Sequence, residues 1–486
     1  MAKLDALAID QAPRGGPDLM EQAGLKAWRV LRARWPEVER ISVCCGAGNN
    51  GGDGWVIARC ALEAGVSVQA LSAVDPDQLQ GDAKRAHQAF AKHPHAEPVE
   101  LLAPNTALTG EVVVDALLGI GLRGPVTGRV ADGIEAVVAS ALPVLAVDVP
   151  SGLVADTGAA PGPCVRAEVT VSFVGQKRGL FTGVAGQYRG RLVFDALGAD
   201  ALAAPGPTPD AVLLDARRCR RSLPPRLADT HKGQTGHVGV VGGAPGMAGA
   251  PVLSALGALF AGSGKVTVWG SGQSVAATLA QTPALMAHDI GMNNQWQVPD
   301  FNVDVLAIGP GLGRPDDPGL AALLAAATAF SGPLVVDADG LNALADRADV
   351  AREGDWVLTP HPGEAARLLG VDTASVQADR FEAARALAAR YRAVVVLKGW
   401  GSLIASPNGA VWVCPQGTPA MASAGMGDVL TGVIASLWGQ GMNAFDAARC
   451  AVFFHACAGE LAAAGRRSIT ADQLAACLPE VMATRS

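Results

Sequence analysis

The sequence predicts an α/β protein made of two tandem domains, each with a parallel β-sheet covered by helices on both faces. At 486 residues the chain exceeds what one compact core holds, and its length corresponds to roughly two to four domains. Apolar strand-like runs alternate with amphipathic stretches along most of the chain, which is typical of parallel strands buried between helices. The alternation breaks only at residues 203–230, which we interpret as an interdomain linker.

The alternation can be followed element by element. In the first half the strand-like runs are ISVCC, VSVQALSA, EVVVDALLG, VLAVDVPSG, AEVTVSF and RLVFDALG. After the linker they are GHVGVVGG, KVTVWG, DVLAIGPGLG, PLVVDADGL, DWVLTPHPGE and AVVVLKGWGS. A hairpin is predicted around Asn408-Gly409, and two long helices over residues 427–438 and 445–464. We place the domain boundary so that the domains span residues 1–212 and 213–486.

Composition excludes several classes of partner. A net charge of -7 argues against a nucleic-acid or anionic-membrane surface. The nine cysteines show no metal-ligand spacing and indicate buried thiols in a reduced compartment. Residues 238–264 carry no charge, but their eight glycines and two prolines favour a buried strand, turn and helix over a membrane span. The N-terminus has no apolar signal-peptide core, and we expect a cytoplasmic protein.

A glycine-rich loop follows the first predicted strand. Gly46, Gly48 and Gly51 have the spacing Gly-x-Gly-x-x-Gly between a strand and a helix, where backbone N–H groups at a helix start can bind phosphate. Asn49, Asn50 and Asp53 add polar side chains suited to ribose hydroxyls or a cation. A tight turn with a structural role only is the alternative interpretation.

Two further carboxylates follow strands of the first domain. Asp115 lies in VVVDALLGIGLRG and Asp148 in VLAVDVPSG. Each could be a helix N-cap. Because the carboxyl ends of parallel strands meet in one crevice, we expect both beside the glycine loop.

These motifs carry a family resemblance over nearly all of residues 1–205. GAGNNGGDG, DALLGIGLRGPVTG, DVPSG and LMEQAG resemble the NAD(P)H-hydrate epimerase family, which has a Rossmann-like fold and interconverts the epimers of hydrated nicotinamide cofactors. The resemblance implies that the damaged dinucleotide is bound by Asn49, Asn50, Gly51, Gly52 and Asp53. It implies a potassium ion on Asn50, Asp115 and Ser151. It also implies a loop that closes over the ligand, formed by Gly119, Ile120, Gly121, Leu122, Arg123, Gly124 and Pro125.

Asp148 is the acid–base candidate of this domain, because a carboxylate there can exchange a proton with the aminal as the ring opens and closes. The sequence departs from the family at two places. Ala47 replaces a usual proline, and Ile120 replaces a usual threonine and so removes a hydroxyl donor.

The sharpest motif of the second domain is ASAGMGDVLTGVIASLWGQG. Gly425, Met426, Gly427 and Asp428 lead directly into an amphipathic helix. The glycines let the backbone approach a phosphoryl group, and Asp428 can take a proton from a substrate hydroxyl. A glycine turn with an aspartate N-cap is the alternative. The motif resembles the Gly-x-Gly-Asp signature of ribokinase-like kinases, and no P-loop is present in the sequence.

Five further stretches narrow that resemblance over about residues 226–480. HKGQTGHVGVVGGAPGMAGA, AIGPGLG, VVDADGLNAL, LTPHPGEAARLLG and KGWGS are similar to the ADP- or ATP-dependent NAD(P)H-hydrate dehydratase family. The resemblance implies that the hydrated nucleotide contacts Ala250, Gly311, His361 and Asp428. It implies that the phosphoryl donor contacts Lys398, Gly399, Trp400, Gly401, Ser402 and Gly427. Ser402 replaces a common threonine, and Trp400 is bulkier than the usual residue.

Together the resemblances imply an enzyme that repairs hydrated NADH and NADPH. The first domain would epimerise the R and S forms, and the second would dehydrate the S form with Mg²⁺ and ADP, which we favour over ATP. We expect a homo-oligomer with neither nucleic acid nor membrane as partner. One alternative is a ribokinase-like small-alcohol or vitamin kinase with an accessory first domain. Another is a first domain that only dimerises or senses a ligand, which would be expected to lack Asp148 or Asn50.

Overall fold

The structure, a computed structural model, describes residues 16–199, 208–292, 295–313, 318–347, 352 and 355–483. The chain divides into two compact units, Met1–Pro209 and Asp210–Ser486. Each unit is an α/β layer structure, as the sequence predicts.

The first unit is built on a parallel sheet, seven-stranded within the described residues, in the order β3-β2-β1-β4-β5-β6-β7. Its strands are β1 (Arg40–Cys45), β2 (Ser67–Ser72), β3 (Glu100–Leu101), β4 (Val112–Ala116), β5 (Val144–Val147), β6 (Val169–Phe173) and β7 (Arg191–Asp195). Its helices are α1 (Gly16–Arg34), α2 (Asn49–Glu63), α3 (Gly81–Ala91), α4 (Gly128–Ser140) and the short α5 (Ala185–Tyr188). Six of these strands match the predicted runs, and the two-residue β3 was not predicted.

The strand order of the first unit fixes where a ligand can bind. β1 pairs with β2 on one side and with β4 on the other. The chain continues from β1 to β2 and from β4 to β5, so the two connections run in opposite directions across the sheet. Such a switch point opens a crevice at the carboxyl ends of the two strands. The glycine-rich loop follows β1 and the loop from Leu117 follows β4, so both predicted ligand loops start at this crevice.

The second unit contains a larger sheet, ten-stranded in the described part of the chain, in the order β11-β10-β9-β14-β15-β16-β17-β18-β19-β8. The strands are β8 (Val212–Leu213), β9 (His237–Val241), β10 (Lys265–Gly270), β11 (Met286–Asp289), β14 (Val305–Ile308), β15 (Leu334–Val336), β16 (Trp356–Leu358), β17 (Val394–Leu397), β18 (Leu403–Ala405) and β19 (Val411–Val413). β18 pairs antiparallel with both β17 and β19. The hairpin of β18 and β19 confirms the turn predicted at Asn408-Gly409, whereas the antiparallel pairing with β17 was not predicted. β12 (Gly291–Met292) and β13 (Gln295–Trp296) form a separate ribbon.

The helices of this unit are α6 (Ala216–Ser222), α7 (Gly249–Phe260), α8 (Gly272–Gln281), α9 (Pro318–Ala329), α10 (Ala338–Ala345), α11 (Pro362–Leu369), α12 (Thr373–Ala378), α13 (Arg380–Tyr391), α14 (Met426–Gly439), α15 (Ala444–Ala462) and α16 (Ala471–Met482). α14 is buried over most of its length and packs in one apolar core with α7, α15 and α16. Its high apolar content follows from this central position, since helices buried on all sides lose the polar face.

The uncharged run 238–264 forms most of β9 and all of α7, as predicted for a strand, turn and helix. Among the described residues, no helix has the length and apolar character needed to cross a membrane.

The predicted linker is wrong over residues 212–222, whereas residues 223–230 form no helix or strand. Val212 and Leu213 pair with β19 at the edge of the second sheet, and the arginine-rich stretch forms α6 with Cys219 buried beneath it. The apolar side chains that anchor this segment, Leu214 and Cys219, are few and lie between solvent-exposed arginines, which is why composition alone suggested a loop. Residues 203–207 of the predicted linker lie outside the described residues.

Candidate active sites

The crevice of the first unit contains a cavity of about 430 Å³, a size suited to a small-molecule ligand. The cavity is lined mainly by the loops that follow β1 and β4, by α1 and by the segment that follows β6. The lining residues are Leu19, Met20, Ala23, Ala47, Gly48, Asn49, Asn50, Asp53, Val74, Asp82, Leu117, Leu118, Gly119, Ile120, Gly121, Val130, Asp148, Phe173, Val174, Lys177 and Leu197.

The predicted ligand residues divide into those that line this cavity and those that do not. The lining ones are Asn49, Asn50, Asp53, Gly119, Ile120, Gly121 and Asp148. Gly51 and Gly52 are buried in the first turn of α2. The remaining predicted loop residues, Leu122, Arg123, Gly124 and Pro125, follow the lining segment in the chain and are not among the residues that line the cavity.

Asp148 lies directly after β5 in a left-handed backbone conformation, with φ of 65°. Its Oδ1 accepts hydrogen bonds from Ser172 Oγ and the Phe173 N–H, both at 3.2 Å, and forms an ion pair with the Lys177 ammonium. The Lys177 side chain is only 2% exposed and also donates to the Phe173 carbonyl at 2.7 Å. Three donors therefore converge on one oxygen of the Asp148 carboxylate.

Sequence reasoning missed Lys177. The residue lies in SFVGQKRG, four positions after a strand end, and nothing in the spacing relates it to Asp148, which is 29 residues earlier. The only signal available in the sequence was a lysine a few positions after the end of an apolar strand.

A second carboxylate, Asp53, lies in the same cavity in a different setting. Asp53 is in the second turn of α2. Burial raises its pKa well above the ordinary range, the charge of Asp148 raises it further, and Lys177 acts in the opposite direction.

Asp115 and Ser151 form a buried pair behind the cavity. The Asp115 carboxylate accepts the Ser151 hydroxyl at 2.6 Å and the Ser151 N–H at 2.8 Å. Burial raises the pKa of Asp115 to about 6, although the bonds from Ser151 act to lower it. Nearby, Asn50 presents an amide whose Oδ1 and Nδ2 are both buried without a hydrogen-bond partner. Such an orphaned amide is costly unless a ligand or ion satisfies it.

The second candidate site lies at the N-terminus of α14. Gly425 caps the helix with φ of 87°, a left-handed conformation that glycine adopts without strain. Asp428 follows in the first turn. Burial raises the pKa of Asp428 to about 7, with the charge of Asp337 as the next cause and Lys398 acting against it.

Lys398 connects Asp428 to two other carboxylates. Its Nζ lies 2.6 Å from Asp337 Oδ1 and 3.7 Å from Glu364 Oε2. Asp337 also accepts the Thr431 hydroxyl of α14 at 2.8 Å. Burial acts to raise the pKa of Asp337. The charge of Lys398 and the hydroxyl groups of Thr359 and Thr431 outweigh this effect and hold the pKa below the ordinary range. The ammonium is therefore fixed beside the glycine turn, and a side-chain carbon at Gly427 would lie 3.1 Å from Lys398 Nζ.

The other predicted residues of this unit lie in the first turn of α7 and on loops. Ala250 and Gly311 are neighbours, because a side-chain carbon at Gly311 would lie 3.1 Å from Ala250 Cβ. Ser402 Oγ donates to the Gly399 carbonyl at 2.8 Å and closes the turn that contains Trp400 and Gly401.

His361 has a structural role that the sequence did not predict. It is the N-cap of α11, and its Nδ1 accepts from the N–H groups of Gly363 and Glu364 at 3.0 and 3.3 Å. Because Nδ1 is an acceptor there, Nε2 is the protonated nitrogen of the ring.

His455 was also missed. It is buried in α15, and its Nε2 lies 2.9 Å from the Met426 carbonyl in the glycine turn. Burial lowers its pKa to about 4, so the ring is neutral and donates this hydrogen bond. His455 therefore holds the turn that carries Asp428, and no local motif in the sequence marks it.

Comparison with known proteins identifies the family. The family model for NAD(P)H-hydrate dehydratase matches residues 238–480, and that for the YjeF-related protein N-terminus matches residues 16–179. A curated relative from Coxiella burnetii, named bifunctional NAD(P)H-hydrate repair enzyme Nnr, is 42% identical over 464 residues, covering 94% of this chain and 93% of the relative. The chain belongs to the bifunctional NAD(P)H-hydrate repair enzymes. The Escherichia coli member is 38% identical over 470 residues, covering 96% of this chain and 89% of the relative.

A solved structure supports the fold of the second unit. It is the ADP/ATP-dependent NAD(P)H-hydrate dehydratase from Bacillus subtilis co-crystallized with ATP/Mg²⁺, which is 32% identical, with a TM-score of 0.51, and covers 56% of this chain and 97% of that one. The two resemblances that the motifs predicted are thus confirmed, as are the two α/β folds. The kinase with an accessory first domain is not favoured.

Proposed function

We propose that this chain repairs hydrated NADH and NADPH, with an epimerase in residues 1–212 and a dehydratase in residues 213–486. The observation that carries the proposal is Asp428, a carboxylate with a pKa of about 7 at a glycine-lined helix N-terminus beside the partly buried Lys398. Such a group can remove a proton from an alcohol near neutral pH while helix N–H groups and an ammonium bind a phosphoryl group.

In the dehydratase, Asp428 takes the proton from the hydroxyl of the hydrated nicotinamide ring. The hydroxyl oxygen attacks the terminal phosphorus of ADP, AMP leaves, and the N–H groups at the start of α14 and Lys398 hold the transferred phosphoryl group. Phosphate then leaves with the electrons of the C–O bond, the neighbouring ring carbon loses a proton, and the dihydropyridine is restored. Water is a poor leaving group, and its conversion to a phosphate ester explains why a nucleotide is consumed.

The contacts of this site are proposed from the family resemblance. We assign Ala250, Gly311, His361 and Asp428 to the hydrated nucleotide. The donor is assigned to Lys398, Gly399, Trp400, Gly401, Ser402 and Gly427. Mg²⁺ commonly binds through substrate phosphates and one or two carboxylates. Asp337 is ion-paired with Lys398, and Glu364 also lies within ion-pair distance of that ammonium. We therefore assign the ion to the donor phosphates and to Asp339, whose charge acts on Asp428. When bound, Mg²⁺ neutralises charge on the donor phosphates.

In the epimerase, Asp148 exchanges a proton with the ring hydroxyl as the aminal opens and closes. We assign Asn49 to Asp53 and the loop of residues 119–125 to the dinucleotide. Potassium is assigned to Asn50, Asp115 and Ser151, and the orphaned amide of Asn50 and the oxygen atoms of the other two fit such an ion. When bound, it supplies a fixed positive charge for the phosphates of the ligand.

One assay tests both activities. The purified chain is mixed with both epimers of hydrated NADH and with ADP, and the near-ultraviolet absorbance of NADH is followed. Asp428→Asn should abolish recovery of NADH. Asp148→Asn should leave rapid recovery of the S epimer and restrict the R epimer to its spontaneous rate of conversion.

Each variant is the folding control of the other, because each should retain the activity of its unsubstituted site. Release of AMP and phosphate in proportion to NADH tests the use of ADP, and ATP is the comparison donor. Turnover without release of phosphate would contradict the dehydratase mechanism. The expectation of a cytoplasmic homo-oligomer is tested by light scattering and by fractionation of cells.

A further inference from the structure

Resting on the epimerase function proposed above, we propose that Asp53 is a second acid–base group of the first site. It gives a proton to the ring nitrogen while Asp148 takes one from the ring hydroxyl. Asp53 would thus be a catalytic residue, beyond the binding role that the family resemblance implies for it.

Geometry supports the assignment, because the two carboxylates approach one cavity from different elements. Asp53 lies on α2 and Asp148 follows β5, and both line the cavity. Lys177, which also lines the cavity, is paired with Asp148. Within the described residues, the Asp53 carboxylate has no hydrogen bond or ion pair of its own. It is therefore available to a ligand.

The surroundings of the two carboxylates favour opposite protonation states. Asp148 accepts from Lys177, Ser172 and the Phe173 N–H, all of which stabilise an anion. The pKa of Asp53 is raised well above its ordinary range, first by burial and then by the negative charge of Asp148. A neutral acid and an ionised base in one cavity are the pair that acid–base catalysis requires.

The chemistry of the aminal needs both groups. Asp148 removes the hydroxyl proton, the C–N bond of the ring breaks, and the oxygen forms the carbonyl of an open-chain aldehyde. The electrons of the C–N bond go to nitrogen, which takes the proton of Asp53. After rotation about the adjacent C–C bond, nitrogen attacks the other face of the aldehyde and returns its proton to Asp53. Asp148 returns its proton to the oxygen, and both residues regain their starting states.

The other polar groups of the cavity do not fit this role. The Lys177 ammonium already donates to Asp148 and to the Phe173 carbonyl. Asn49 and Asn50 carry amides, which do not exchange protons near neutral pH. Asp82 also lines the cavity, but it forms an ion pair with Arg85 on the same helix and is therefore held as an anion. Asp53 is the remaining carboxylate that can enter the cycle protonated.

Epimerisation without ADP tests the proposal in the full chain, because the dehydratase is then silent. The two epimers of hydrated NADH are separated by chromatography, and the conversion of pure R to S is followed. For Asp53→Asn, which keeps the shape of the side chain, we expect kcat to fall by about 10²–10⁴-fold and KM to change by less than about threefold. Asp53→Glu should recover part of the loss, because it restores an acid.

Two controls accompany this variant. The rate at which the S epimer is dehydrated with ADP reports the amount of folded protein in each preparation and should equal that of the unsubstituted chain. Asp132→Asn on α4 makes the same substitution outside the cavity and should leave epimerisation unchanged.

The outcomes distinguish the catalytic role of Asp53 from the epimerase function on which it rests. An Asp53→Asn variant that keeps its kcat, or that loses only affinity through a higher KM, would overturn the catalytic role of Asp53. A full loss that Asp53→Glu does not relieve at all would also count against it. Failure of the unsubstituted chain to interconvert the epimers would instead overturn the proposed epimerase itself.

Discussion

Asp428 and Asp148 show how the same side chain acquires different properties from its neighbours. Burial is the main cause of the raised pKa of Asp428, and the charges of Asp337, Asp339 and Glu364 raise it further. The nearby ammonium of Lys398, which acts in the opposite direction, is already paired with Asp337. Asp148, in contrast, is paired directly with Lys177. The first arrangement produces a carboxyl group that titrates near neutral pH, and the second stabilises a carboxylate.

The raised pKa of Asp428 predicts the pH dependence of the dehydratase. The base must be ionised, and its pKa in the folded chain is about 7. Hence kcat/KM for the S epimer should increase with pH through 7, from roughly one tenth of its maximum at pH 6 to about nine tenths at pH 8. Initial rates of NADH formation at low substrate concentration, between pH 5.5 and 8.5, measure the profile.

Tryptophan fluorescence over the same pH range is the control that the chain stays folded. A constant kcat/KM between pH 6 and 8, or a decrease centred near pH 4, would show that Asp428 titrates as an ordinary carboxyl group or is not the base.

Residues that act through short motifs were predictable, and residues that act across the fold were not. Asp428 adjoins its glycine turn in the sequence and was identified there. Lys177 reaches Asp148 from 29 positions away, and His455 reaches Met426 from 29 positions away. Both contacts exist only because strands and helices that are distant in sequence pack together.

At the scale of elements, the crossing of α7 and α14 positions the second site. α7 carries Ala250 near its N-terminus and α14 carries Asp428 near its own. The helices pack very closely: a side-chain carbon at Gly432 would lie 1.8 Å from the Ser254 carbonyl oxygen, and one at Gly257 would lie 2.3 Å from that of Val429. The glycines at the crossing therefore set the separation of Ala250 and Asp428, which are both assigned to the hydrated nucleotide.

Gly432→Ala should consequently force the helices apart. We expect a loss of about 1–3 kcal/mol in the free energy of unfolding, the usual cost of overpacking, and a reduction of dehydratase kcat/KM of at least about tenfold. Urea denaturation and the NADH recovery assay measure the two quantities. Epimerase activity of the same sample should not change.

Gly439→Ala, at the C-terminal end of α14, is the matched control. A side-chain carbon there would make its nearest contact at 3.4 Å, so the variant should stay within about 1 kcal/mol of the unsubstituted chain. Equal effects of the two substitutions would contradict the role assigned to the close crossing.

The regular elements were largely visible in the sequence, because buried strands flanked by helices have a strong pattern. Residues 212–222 were the exception. Val212 and Leu213 gain their partner from β19, about 200 positions later, and so short an edge strand has no periodicity of its own. The hairpin of β18 and β19 was predictable because its turn chemistry is local.

At the scale of the whole molecule, each site is built within one compact unit. The residues that line the first cavity lie between Leu19 and Leu197, and those assigned to the second site lie between Ala250 and Asp428. Each unit also has a switch point between two parallel strands of its sheet, β1 and β4 in the first and β9 and β14 in the second. The alternation of elements predicted the parallel sheets, whereas strand order and the resulting crevices depend on long-range pairing.

Separate sites predict that two defective chains can complement each other in solution. Asp428→Asn retains the epimerase and Asp148→Asn retains the dehydratase. An equimolar mixture with ADP should therefore convert pure R epimer to NADH, after a lag in which the S epimer accumulates and diffuses between molecules. Absorbance of NADH follows the product, and chromatography of samples taken during the lag follows the S epimer. The mixture should exceed either variant alone by at least about tenfold. A mixture no faster than Asp148→Asn alone would mean that the S epimer is not released between the two reactions.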